Sequence, residues 1–69
     1  MPTTWRIRVR GRIDPEWSSW LGGLRVTELD CGDTELTGSL PDQAALYGVL
    51  ARIRDLGLAL ASVSPEEEL

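Results

Sequence analysis

Residues 5 to 13 keep one phase throughout. Trp5, Ile7, Val9 and Ile13 share a parity with Gly11, and Arg6, Arg8, Arg10 and Arg12 share the other. Successive side chains of a strand point to opposite faces. A period of two over this length therefore predicts a strand with one face buried and the other lined by arginine, about 7 Å apart. The apolar face of such a strand has to be covered by other parts of the chain. With 69 residues, one domain is all that can cover it, and a chain of that size buries roughly 60 % of its unfolded surface.

The rest of the chain supplies a cover. Asp14 can cap backbone N–H groups, Pro15 suits a first helical position, and Glu16 favours the positive helix end. Trp17, Trp20 and Leu21 follow at i, i+3 and i+4, and Gly22-Gly23 ends the run. A short α-helix of about two turns is the expectation. Residues 24–29 and 34–40 read as strands joined by the turn Asp30-Cys31-Gly32-Asp33. Leu29 is out of phase with Leu24 and Val26, which calls for a bulge near Glu28 or an early strand end. Asp42 is the N-cap of a longer helix whose apolar stripe is Leu46, Val49, Leu50 and Ile53, flanked by Ala45 and Leu56. Gly57 stops it, with Leu58 placed to pack back on the last turn. Residues 58–63 form a fourth strand, and Pro65 breaks it. Residues 1–64 are thus expected to form a single α+β domain, and residues 65–69 an acidic tail without fixed structure.

The order β-α-β-β-α-β is the ferredoxin-like split pattern. It predicts a four-stranded antiparallel sheet in the order 4-1-3-2, with a short and a long helix on one face. The stretch Pro41-Asp42-Gln43-Ala44-Ala45-Leu46, together with Arg52-Ile53-Arg54-Asp55-Leu56-Gly57-Leu58, resembles a group of short uncharacterised proteins from high-GC bacteria. In that group histidine is common at the position of Tyr47 and proline at that of Ala59. The resemblance implies a stand-alone small domain and carries no activity or site with it.

Several chemistries are ruled out by composition. Histidine is absent and Cys31 is the only cysteine. No intramolecular disulfide, zinc site or serine triad can be assembled, and Ser18 and Ser19 have no base to activate them. Cys31 lies between Asp30 and Asp33, whose charges disfavour a thiolate nucleophile. Gly22-Gly23 and Gly32 lack a phosphate-loop pattern. No catalytic residue, metal or cofactor is assigned. Arginine supplies all 7 bases against 11 acids, a net charge of −4, which speaks against bulk nucleic-acid binding. No apolar run approaches the ~18–20 residues of a membrane span, nor does the N-terminus carry a signal core, so a cytoplasmic protein is expected.

Two surfaces are candidates for function. The first is the arginine face, Arg6, Arg8, Arg10 and Arg12, which could hold phosphate or carboxylate through bidentate guanidinium contacts. Its neutral alternative is compensation by Glu35 on the next strand and by the acidic tail. The second is the back of the long helix. Ala44, Gly48, Ala51 and Asp55 fall at i, i+4, i+7 and i+11, with Tyr47 and Arg54 on one flank and Arg52 on the other. Small residues there would let another backbone approach. Because no disulfide or metal supports so small a core, self-association is the expected supplement. The leading reading is a small non-catalytic domain that forms a homodimer or higher homo-oligomer. The alternative is an anionic small-molecule binder or small biosynthetic enzyme using the arginine face. A nucleic-acid accessory role ranks last, since the outward positions of the first strand lack aromatics on which bases stack.

Overall fold

The computed structural model describes residues 3–66. They form an α+β domain with one four-stranded antiparallel sheet and one α-helix. The strands are β1 (Thr3–Arg10), β2 (Arg25–Glu28), β3 (Thr34–Leu40) and β4 (Ala59–Pro65), and the helix is α1 (Gln43–Asp55). They lie in the order β2-β3-β1-β4, which reads 4-1-3-2 from the other edge. β1 is one of the two inner strands, paired with β3 on one side and β4 on the other. Its inner residues Ile7 and Val9 are fully buried, opposite Leu36 and Thr34 of β3 and Val63 and Leu60 of β4.

The core is the layer between this sheet face and the elements packed on it. Leu46, Val49 and Ile53 of α1 are buried against Ile7, Val9, Leu36 and Leu40. The N-cap is the expected one: the Asp42 carboxylate accepts from the Ala45 amide at 2.8 Å. At the other end Gly57 takes φ +75°, and the Leu58 amide bonds back to the Ile53 carbonyl at 3.3 Å. That is the Schellman-type closure the Gly57-Leu58 pair implies.

The expected first α-helix is not formed. Asp14 caps as anticipated, accepting from the Glu16 amide at 3.0 Å, but the helical segment is a single 3-10 turn, Pro15–Ser18. A two-turn helix cannot hold itself in water, and here the chain closes through turns as far as Gly23. The apolar face divides accordingly. Leu21 is fully buried, whereas Trp17 and Trp20 stay 43 % and 36 % exposed and meet edge to face, centroids 5.3 Å apart. Of the three, only Trp17 lies in the 3-10 turn; Trp20 and Leu21 sit in the turns that follow, so the i, i+3, i+4 face of an α-helix is not formed.

Two further expectations change. β2 ends at Glu28 without a bulge, so the early strand end resolves the phase of Leu29. The sheet's irregularity lies instead in β4, where the register with β1 shifts between Arg8 and Val9 and Ala61 is the extra residue. At the C-terminal end, Pro65 does not stop the strand early: it is the last residue of β4 and pairs with Trp5. The Glu66 amide then donates to the Thr4 carbonyl at 2.7 Å. The remainder of the expected tail, residues 67–69, lies outside the described residues.

Candidate functional site

The open face of the sheet is built by parity. Arg6, Arg8 and Arg10 project from β1 away from the core, with Glu35 and Thr37 of β3 and Ser62 and Ser64 of β4 beside them. Arg25 of β2 faces the same way, since its register partner is Thr37. Acidic side chains reach in. Arg6 contacts Glu66 at 2.8 Å and Glu35 at 3.7 Å, and Arg8 contacts Asp33 at 3.2 Å. Arg8 also donates to the Cys31 sulfur at 3.1 Å. The hydrogen bond to Asp33, and after it the contacts with Cys31, hold the Arg8 guanidinium above its ordinary pKa. Cys31 therefore has an arginine beside it as well as its acidic chain neighbours. That contact joins residues 23 apart and could not be read from the local sequence.

Arg12 leaves the stripe. Gly11 takes φ +93°, a conformation that costs glycine little and other residues much. It breaks the alternation after Arg10 and swings the chain off the sheet face. Arg12 then pairs with Glu28 at 2.6 Å, and Glu28 lies opposite the buried Thr34, on the core side of β2. Ile13 is buried as its parity suggested, but by this corner rather than by a ninth strand residue. The corner is held by Thr34. Its hydroxyl donates to the Gly11 carbonyl at 2.7 Å and accepts from the Ile13 amide at 3.2 Å. Thr34 was invisible as a functional position because its two partners are more than twenty residues away.

Of the four arginines expected on one anion face, two are engaged with carboxylates on the face and one has left it. Arg10, beside Ala59, and Arg25 form no ion pair with another described residue. Those positions, not Arg6 and Arg8, have guanidinium groups to offer.

The second candidate surface is also laid out. Ala44, Tyr47, Gly48, Arg54 and Asp55 are exposed, and Ala51 is half-buried. A Cβ on Gly48 would meet nothing within 4 Å, so no described residue requires glycine there. One flank of α1 is covered. Arg52 stacks over Trp20 at 5.3 Å and donates to the Trp20 carbonyl, and Gly22 lies against Val49, where a Cβ would come within 3.1 Å. The opposite flank carries Tyr47, 63 % exposed, and half-buried Leu50 above β4, whose Leu60 is 49 % exposed. Among the described residues Arg54 pairs with its neighbour Asp55 alone, at 3.4 Å.

A family model matches residues 4–64 of this chain. The chain belongs to the DUF8691 family, a domain of unknown function. The match runs from the second residue of β1 to the last but one of β4, so the DUF8691 domain includes the arginines of the open face, the Thr34 corner and α1 alike. No match is found among curated proteins or among solved structures. Among the described residues, no helix of this DUF8691 chain is long and apolar enough to cross a membrane.

Proposed function

We propose that this domain is a non-catalytic interaction module that works as a homo-oligomer, most simply a dimer. The observation that carries the reading is the uncovered flank of α1 and β4. Tyr47 and Leu60 are 63 % and 49 % exposed in a chain whose buried core is ten apolar residues. Both side chains keep about half or more of their surface in water, and a second copy would bury part of it at roughly 25 cal/mol per Å² of apolar area. β4 favours side-chain docking over strand-to-strand pairing. Its bulge at Ala61 and the missing N–H of Pro65 shorten the regular edge, as in strands protected from pairing. The same reading treats the element order as a ferredoxin-like β-α-β-β-α-β module whose first helix has shrunk to the Pro15–Ser18 turn.

Sedimentation equilibrium at micromolar concentration tests the proposal. A dimer is expected, and Tyr47→Glu combined with Leu60→Glu should return it to monomer without loss of fold. A wild-type monomer overturns it.

A second reading, an anionic ligand on the open face, is supported by Arg10 and Arg25. Thermal shift against organic phosphates and acyl-CoA should show stabilisation that disappears in Arg10→Ala; no stabilisation by any of them removes this reading.

A further inference from the structure

The corner made by Gly11 and Thr34 opens a cavity of about 370 Å³ between the exit of β1, β2 and the start of β3. That volume is within the range of about 300–1,000 Å³ common to small-molecule sites. Its deep side is apolar: Ile13 and Thr34 are buried and Val26 is half-buried. The hydroxyl of Thr34 donates to the Gly11 carbonyl and accepts from the Ile13 amide, which fixes this residue as a rigid wall. The rim is charged and carries both signs. Arg12 and Glu28 pair at 2.6 Å, with 77 % and 56 % of their side chains exposed. Asp14 adds a second carboxylate, of which Oδ1 is occupied by the Glu16 amide.

We propose that this cavity binds a small zwitterion, an α-amino acid with an apolar side chain. The charge pattern decides among ligand types. A simple anion would meet Arg12 together with two carboxylates, and a simple cation would have to displace Arg12 from Glu28. A molecule with both charges gives each group an opposite partner: its carboxylate on the Arg12 guanidinium, its ammonium on Glu28 and Asp14. In an α-amino acid the two charges are separated by one carbon, so Arg12 and Glu28 must part from their 2.6 Å contact to admit it. An exposed ion pair is weakly held and exchanges readily for two new ones. The side chain would lie on Ile13 and Val26. Gly11 is part of the device, because its φ of +93° takes Arg12 off the open sheet face and brings it to this rim.

The test is NMR titration of the amide spectrum with L-leucine, with 4-methylpentanoate, which lacks the ammonium, and with 3-methylbutan-1-amine, which lacks the carboxylate. Leucine should give saturable shifts centred on Ile13, Val26 and Glu28, and each truncated analogue should bind about two- to fivefold more weakly. Arg12→Ala and Glu28→Gln should each weaken leucine binding by about two- to fivefold, the range of an exposed ion pair. Both side chains are exposed, so the variants should keep the wild-type spectrum elsewhere. Arg54→Ala, remote from the rim, should leave binding unchanged. Absence of saturable shifts at the solubility limit of leucine overturns the proposal, as does equal binding of 4-methylpentanoate. The result is independent of oligomeric state, which the sedimentation experiment reads separately.

Discussion

Thr34 shows how a single side chain sets the shape of a region. It is 1 % exposed, and its hydroxyl satisfies a carbonyl and an amide that leave the sheet at Gly11 and Ile13. Thr34→Val keeps the volume and removes both bonds, leaving two backbone groups unpaired. A loss of about 1–3 kcal/mol is expected, measured by urea unfolding. The same variant should blur the amide spectrum around the cavity before it unfolds the sheet. Gly38 is a second such position. A Cβ there would approach the Leu24 side chain at 2.8 Å and its Cα at 3.5 Å, and Leu24 is 1 % exposed. Gly38→Ala should therefore destabilise by about 1–3 kcal/mol through overpacking, and a neutral result in the same unfolding assay would mean that Leu24 has room to move. Arg6 stands at the other extreme. Its ion pairs are half-exposed, and Arg6→Ala should cost less than about 1 kcal/mol.

The segment between β1 and β2 is an element defined by what it buries rather than by its helicity. Its 3-10 turn has four residues, too few to be stable alone. Leu21 and Leu24, both essentially inaccessible, anchor it against the sheet and α1. The tryptophans lie over this anchor. Leu21→Ala should cost about 2–5 kcal/mol. Trp17→Ala should cost distinctly less than a buried aromatic does, because 43 % of its surface already meets water. Comparing the two by chemical denaturation checks the assignment of inside and outside; a larger loss at Trp17 would reverse it. α1 needed no such rescue. Asp42, the Leu46/Val49/Ile53 stripe and Gly57 lie in one continuous stretch, and each acts on neighbours three or four residues away. The boundaries of α1 were legible for that reason.

Across the whole molecule, charge is distributed unevenly. The open face carries Arg6, Arg8, Arg10 and Arg25 against Asp33, Glu35 and Glu66. The other described residues hold three arginines against six carboxylates. Among the described residues the open face is thus slightly positive in a chain of net charge −4, which argues about where an anion would approach and not about the fold. Oligomers held through the Tyr47/Leu60 flank should be insensitive to salt, because exposed apolar contacts are not screened. Sedimentation at low and high ionic strength should give the same dissociation constant. A steep weakening with salt would move the interface to the arginine face.

Periodicity and caps were enough to identify four strands, one helix, their order and the buried parity of β1, because those signals act between residues a few positions apart. The fate of the arginines was legible in part: Glu35 and the acidic tail were the expected partners, and Glu35 and Glu66 do meet Arg6, but the remaining contacts join residues far apart in the chain. Arg6 met Glu66, Arg8 met Asp33 and Cys31, and Arg12 left the face because of one positive φ at Gly11. The opening stripe of four became two neutralised positions, one unengaged, and one at the rim of a cavity. A pattern of alternation says which side a residue faces. Which partner waits there, and where the chain turns away, follows from packing of segments that the pattern does not connect.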